Sequence, residues 1–300
     1  MDEIQRVFYQ SKFTLDVSTR NGMEYQRLFE RIMASKYTGD FVKIEPWGSQ
    51  GDWKADGYVR STKTVYQVYA PHEMKLTNTL KKIEEDFSNA LVKWKDDMRE
   101  WTFVHNSTRG IPAPVLDKIN ELQKDNPKIS FSIQGPDALE RMLFELDDVI
   151  IEEMYGFMPS KRDVTSVNYT NIKKVVANIA RGLDLHDQVM NPVSSDKLNI
   201  NNLSSSVRSL LTIGMAKSDA VNQYFSKHHD PQLGDEIANT FKAKYEELKT
   251  MRLEPDLIFA KLQEFTYGRW VTEPKDQVAA LAILAYLFER CDIFENNGGE

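Results

Sequence analysis

Residues 48–71, GSQGDWKADGYVRSTKTVYQVYAP, decide how the first half of the chain is interpreted. A glycine-rich turn carrying Asp52 and Asp56 leads into ADGYVR and TVYQVYA, two short segments that are joined by the polar residues STK. Two short strand-forming segments on either side of a polar turn predict an antiparallel hairpin. Asp56 opens the first strand of this hairpin, and Gln67 lies on the second.

The hairpin admits two interpretations. Gly-Asp and Asp-Gly pairs are common turn formers, because Asp tolerates turn geometry and Gly supplies positive φ. Carboxylates at a strand end are also the ligands that hold Mg²⁺ for phosphodiester cleavage. Gln67 and Tyr69 share one strand face, and Gln67 is a polar residue in an otherwise apolar run. Spacing alone leaves both a structural turn and a metal site open.

Helices and strands alternate on both sides of the hairpin. Apolar spacings of three and four predict helices, and alternation predicts strands. The predicted helices cover 21–37, about 76–99, 113–125 and 136–146, and the further strands cover 40–46, 101–106 and 128–135. This order predicts a mixed sheet that is covered by helices on both faces.

The second half of the chain carries no strand signal. Helices are predicted at 169–182, 203–217, 219–228, 233–250, 255–265 and 275–290. The last of these is apolar almost all round, so we expect it at the centre of a helical domain. The segment YGFMPSKRDV, residues 155–164, is typical of a linker. We therefore predict an α/β domain over residues 1–158 and an all-α domain over 159–300.

Charge and composition restrict the classes of function that the chain can have. The net charge is −7, whereas a protein that binds DNA unaided usually presents a basic surface. We therefore expect any DNA binding to need a partner subunit. The single cysteine excludes an internal disulfide. The sequence shows no signal peptide and no apolar run of membrane-spanning length, which favours a cytoplasmic protein without membrane contact. It also shows no Walker motif, so ATP hydrolysis would belong to a partner.

The order of elements around this hairpin resembles the restriction-endonuclease-like, PD-(D/E)XK, superfamily. More narrowly, GSQGDWKADGY followed by YQVYAP resembles the N-terminal domain of a subunit of bacterial three-component ABC-ATPase systems. That group includes Lamassu-type antiphage defence. The segment WTFVHN fits the following strand. DPQLGDEIANTFKAKYEEL through AILAYLFERCDIF resembles the helical C-terminal domains of such proteins.

The resemblance implies a Mg²⁺-dependent DNA endonuclease effector that acts with an ABC/SMC-type ATPase and a further small subunit. The acidic metal ligand of the superfamily falls on Asp56, and Asp52 is a candidate second ligand. The acidic position of the first helix falls on Glu24 or Gln26, and the sequence does not decide between them. Gln67 takes the first place of the (D/E)-x-K pair.

Tyr69 stands where the superfamily carries lysine. A tyrosine offers no positive charge to offset the charge that develops on phosphate. Lys54, two residues before Asp56, and Lys75, just after the hairpin, are the candidate substitutes. Without such a lysine, the alternative is a catalytically inactive nuclease-fold subunit that serves assembly or DNA sensing in the same kind of complex.

Three other features favour structural roles. His105 lies at a strand end and is interpreted as a hydrogen-bonding residue. His228 and His229 lie at a helix end, where capping is the simpler interpretation because no third metal ligand has suitable spacing. Glu45 precedes the turn and is either an additional ligand or, as the pattern favours, a solvent-facing strand residue.

Overall fold

The computed structural model describes residues 1–45, 55–180, 197–268, 273–290 and 293–295. It divides into two compact units. One unit, Asp16–Met154, carries the sheet; the other joins Met1–Leu15 with Tyr155–Glu300. The division thus falls four residues before the predicted boundary at 158, and the first 15 residues group with the C-terminal helices.

The sheet unit contains one mixed sheet of five strands. These are β1 (Phe41–Lys43), β2 (Gly57–Val59), β3 (Thr64–Tyr69), β4 (Glu100–His105) and β5 (Ser130–Gln134). They lie side by side in chain order. The first three form antiparallel pairs, and the last three form parallel pairs. All five coincide with segments in which the sequence predicts strands, so the mixed sheet is confirmed.

Helices cover both faces of this sheet. They are α2 (Met23–Lys36), α3 (Leu76–Trp94), α4 (Ala113–Asp125), α5 (Pro136–Leu143) and α6 (Asp148–Tyr155), whose last residue begins the other unit. On one face, Phe87 of α3 packs edge-on against Trp101 of β4. On the other face, Phe29 of α2 contacts Tyr66 of β3. Full burial of each such aromatic ring stabilises the fold by roughly 1.5–3 kcal/mol.

The second unit is helical throughout its described residues. It contains the first part of α1 (Glu3–Thr19), then α7 (Lys161–Ser166), α8 (Tyr169–Ala180), α9 (Lys197–Ile200), α10 (Ser205–Met215), α11 (Ser218–Ser226), α12 (Leu233–Thr250), α13 (Pro255–Tyr267) and α14 (Pro274–Glu289). Helices α8, α10, α11 and α13 contact α14, and the whole of α14 from Asp276 to Phe288 is buried. The predicted central helix is therefore confirmed.

Four helices, α1, α6, α7 and α9, lie outside the predicted ones. Helix α7 lies in the predicted linker, where Ser160 and Asp163 form a reciprocal capping box. In α1, Tyr9 donates a hydrogen bond to the Gly156 carbonyl at 3.0 Å. Just before α1, the Asp2 carboxylate accepts one from the Lys161 amide. No helix in the described parts of the chain is long and apolar enough to cross a membrane.

Candidate functional site

The hairpin brings Asp56 and Gln67 into direct contact. The register pairs Gly57 with Tyr66, which places Asp56 opposite Gln67 one step beyond the end of β2. Gln67 Nε2 donates to Asp56 Oδ2 at 2.9 Å. Both residues are buried, with exposed fractions of 7% and 6%. The two residues that the sequence nominates together are thus joined by a buried hydrogen bond.

The Asp56 carboxylate also caps the edge of β3. Asp56 N donates to the Tyr66 carbonyl at 2.8 Å. Residues 66 and 68 of β3 therefore direct their backbone N–H and C=O groups towards β2. Val68 N points there and donates to Asp56 Oδ2 at 2.6 Å. The carboxylate thereby takes the place of a strand carbonyl. This bond gives Asp56 a structural role whether or not it binds a metal.

A cleft of about 440 Å³ adjoins this carboxylate. It lies between the first half of α2 and the end of β1. Its lining residues are Met23, Gln26, Arg27, Glu30, Lys43, Ile44, Glu45 and Asp56. Three carboxylates and two cations thus line one cavity, together with the apolar side chains of Met23 and Ile44.

Lys43 links two of the carboxylates in this cleft. Its Nζ lies 3.0 Å from Glu30 Oε2 and 2.7 Å from Glu45 Oε1. Glu30 is buried, and its other oxygen accepts from Gln26 Nε2 at 2.8 Å. The hydrogen bonds to Glu45 and Glu30 raise the pKa of Lys43, and the bond to Lys43 lowers the pKa of Glu45. At neutral pH this cluster therefore consists of a lysine cation held by carboxylates.

Helix α2 contributes a different carboxylate from the one predicted. Glu24 is exposed and lies outside the cleft lining, whereas Gln26 is part of it. Glu30 stands four residues after Gln26 and so shares its helix face. Sequence reasoning missed Glu30, although its spacing from Gln26 was a usable signal. It also missed Lys43. Glu45 is solvent-exposed, as interpreted from the sequence, and it also lines the cleft and pairs with Lys43.

Of the predicted substitutes for the missing lysine, the described one, Lys75, does not line the cleft. Lys75 has a 65% exposed side chain and pairs with Glu73 at 3.5 Å. Lys54 and Asp52 lie outside the described residues. Tyr69 is half-buried, and its ring centroid lies 6.0 Å from that of Phe103. Position 69 therefore contributes to the core under α3 and supplies no cation.

The histidines occupy structural surroundings. His105 is buried, and burial lowers its pKa to about 4. Its Nδ1 accepts from Ser107 N at 3.2 Å, and its ring lies so close to Gly135 that a Cβ there would be 2.8 Å from Cε1. The His228 and His229 rings lie 4.2 Å apart. Across the described ranges, no three His, Cys, Asp or Glu side chains form a group that could hold a metal.

The donor atoms at Asp56 and Gln67 fit a magnesium ion. Mg²⁺ prefers oxygen ligands and usually takes one or two carboxylates, with waters and substrate phosphates completing its shell. It therefore does not require a cluster of three acidic residues. Gln67 Oε1 is buried and has no hydrogen-bond partner in the described residues. A cation or a water would satisfy this oxygen, which otherwise costs about 1–3 kcal/mol.

The helical unit is the part of the chain that a known family matches. Residues 170–295 match CTD10, the C-terminal domain 10 of the ABC-three component (ABC-3C) systems. The match supports membership in such a system. An ABC-3C system has several components, so partner subunits are expected for an ABC-3C protein. No curated protein and no solved structure matched the chain. The sheet unit lies outside the matched residues, and its role is argued from its own geometry.

Proposed function

We propose that this protein is the Mg²⁺-dependent DNA endonuclease subunit of an ABC-3C antiphage defence complex, with the sheet unit as its nuclease domain. One observation carries the proposal: the buried contact between Asp56 and Gln67, in which Asp56 lines a cleft that also contains Glu30, Lys43 and Glu45. The family match of the helical unit supports the setting. The resemblance of the hairpin to Lamassu-type subunits supports the DNA-cleaving role.

Asp56 and Gln67 would hold the metal through a carboxylate and an amide oxygen. When bound, Mg²⁺ supplies Lewis-acid polarisation of a phosphate oxygen and lowers the pKa of a bound water. Val68 N fixes one oxygen of Asp56, and Gln67 Nε2 fixes the same oxygen from the side. These bonds orient the carboxylate before any ligand arrives, which reduces the cost of ordering it on binding.

The net negative charge of the chain means that other subunits of the complex would have to hold the DNA. With a net charge of −7, the chain would repel the DNA backbone, whose phosphates dominate protein–DNA affinity. We propose that an ABC/SMC-type ATPase and a further small subunit hold the DNA. The helical unit would dock onto these partners and restrain the nuclease until foreign DNA is sensed.

Cleavage of supercoiled plasmid by the assembled complex with Mg²⁺ tests the proposal. The variant is Asp56→Asn, whose amide oxygen can still accept from Val68 N although its charge is lost. We expect plasmid cleavage and phage resistance to fall together by at least about 100-fold, the scale of losing an electrostatic group in a catalytic site. Asp97→Asn, at an exposed position of the same unit, is the control and should cleave normally.

A second function is favoured by Tyr69. Its ring packs on Phe103 where the superfamily carries lysine, as expected of a nuclease fold kept for assembly or DNA sensing. Under this alternative, the wild-type complex would bind DNA without cutting it, and Asp56→Asn would still confer phage resistance. That pair of results would reject the endonuclease and retain the inactive subunit.

A further inference from the structure

We propose that Lys43 is the cationic residue of this site and that Glu30 and Glu45 hold it in place until a metal enters. This inference rests on the proposed function, because it assigns the positive charge that a phosphodiester-cleaving site needs. Position 69 does not supply that charge, since Tyr69 belongs to the core. Lys43 supplies it from β1, in the cleft that Asp56 also lines.

The strand register explains how Lys43 reaches the cleft. Lys43 pairs with Gly57 in the β1–β2 ladder, immediately next to Asp56. Its side chain extends towards α2, where it meets the buried Glu30. It remains 44% exposed, so an incoming phosphate can approach the ammonium group. Lys43 therefore combines a fixed position with access from solvent.

Arg27 is the other cation in the cleft, and we compare how the two side chains are held. It also lines the cleft, but it lies on the exposed surface of α2. Lys43, by contrast, is held by two carboxylates within 3.0 Å. A held cation loses less side-chain freedom when it binds an anion than a mobile one does. Lys43 is thus the better-positioned of these two cleft cations.

Metal binding and the placement of Lys43 are coupled by charge. Lys43 neutralises part of the negative field of Glu30, Glu45 and Asp56, so it repels a divalent cation that enters the same cleft. A bound Mg²⁺ in turn weakens the attraction between Lys43 and these carboxylates. The ammonium group then becomes available to a phosphate oxygen at the moment when the metal is in place.

Magnesium affinity separates this role from a structural one. The variants are Lys43→Gln and, as a control outside the cleft, Lys81→Gln, whose side chain on α3 is 74% exposed. Mg²⁺ is titrated calorimetrically into the full-length chain, and plasmid cleavage is measured in the complex. Removing the charge of Lys43 should tighten Mg²⁺ binding by about fivefold, after solvent screening, and slow cleavage by about 100-fold. Lys81→Gln should change each quantity by less than about threefold. A Lys43→Gln variant with unchanged or weaker Mg²⁺ binding, or with normal cleavage, overturns the inference.

If Lys43→Gln lowers the fraction of folded protein, Lys43→Arg still tests the inference. Because it retains the charge, it should bind Mg²⁺ like the wild type and cleave within about tenfold of it. A folded Lys43→Arg that cleaves as poorly as Asp56→Asn contradicts the role of Lys43. If Lys43→Gln cleaves normally while Asp56→Asn is inactive, only this inference fails. A wild-type complex that neither binds Mg²⁺ nor cleaves overturns both this inference and the proposed endonuclease.

Discussion

His105 shows at the scale of one residue how burial fixes a protonation state. It ends β4 with 4% of its surface exposed, and burial holds its pKa at about 4, against 6.5 in the unfolded chain. The native state therefore keeps this ring neutral over a range in which the unfolded chain takes up a proton. Stability that is present above pH 6.5 is lost as the pH falls towards 4.

The expected cost is about 2 kcal/mol of unfolding free energy between pH 7 and pH 4.5, from the two pKa values. Urea unfolding of the wild type and of His105→Gln, followed by the fluorescence of Trp94 and Trp101, measures it. The wild type should lose about 2 kcal/mol more than the variant over this interval. Equal losses in the two proteins would show that His105 takes up its proton in the folded state.

At this scale the sequence located half of the candidate site. The turn chemistry and the apolar run nominate Asp56 and Gln67, because hairpin pairing depends on local spacing. Glu30 and Lys43 escaped notice because their pairing depends on how α2 lies on β1, which spacing along the chain does not encode. An isolated acidic residue in a helix and an isolated lysine in a strand are ordinary surface features until tertiary packing joins them.

Among the elements, α10 and α14 show how small residues set the distance between two helices. A Cβ on Gly214 of α10 would lie 2.6 Å from the Leu281 carbonyl oxygen and 2.7 Å from Ala285 Cβ. Both distances are shorter than atoms tolerate. Gly214 is therefore required by the close approach of the backbones, even though glycine disfavours a helix interior by about 1 kcal/mol relative to alanine.

Gly214→Ala should destabilise the helical unit despite the gain in helix propensity. Overpacking typically costs about 1–3 kcal/mol, so we expect a net loss of about 1–2 kcal/mol. Thr212→Ala, at an exposed position of the same helix, should stay within about 0.5 kcal/mol of the wild type. Urea unfolding followed by far-UV circular dichroism compares them. A Gly214→Ala protein as stable as the wild type would mean that α10 and α14 separate at low cost.

Secondary structure was predictable wherever the local pattern was unambiguous. The strand segments alternate, and α14 is apolar enough that its burial follows from composition. The first helix carried a usable signal, because Tyr9, Phe13 and Val17 recur at intervals of four and are all buried. Helix α7 is short and largely polar, so only its capping residues indicate it. The grouping of α1 with distant helices follows from tertiary packing, which no local pattern reports.

At the scale of the whole molecule, the helical unit is built from two separate segments of the chain. Residues 1–15 belong to the unit that resumes at Tyr155, so the chain enters the helical unit, leaves it to build the sheet unit, and returns. Tyr9 anchors this arrangement through its buried ring and its bond to Gly156. Lys12 lies 5.9 Å from the ring of Tyr267 in α13.

Hydrogen exchange should therefore separate the two units. Tyr9→Ala removes a buried aromatic side chain, at a cost of about 3–5 kcal/mol, and should accelerate amide exchange in α8 and α14 while β3 and β4 keep their protection. Phe29→Ala, at a buried position in the sheet unit, is the reciprocal control and should show the opposite pattern. Faster exchange in β3 and β4 after Tyr9→Ala would contradict the grouping of α1 with the helical unit.

This chain path also has a consequence during synthesis on the ribosome. Phe8, Tyr9 and Phe13 emerge long before α14, the buried helix at the centre of their unit, which is completed only at Glu289. At about 5–20 residues per second, the wait exceeds ten seconds. The sheet unit can fold during this interval, whereas the apolar face of α1 stays without its native neighbours. A chaperone that binds exposed aromatic side chains on nascent chains would therefore find a site at Phe8, Tyr9 and Phe13 throughout this interval.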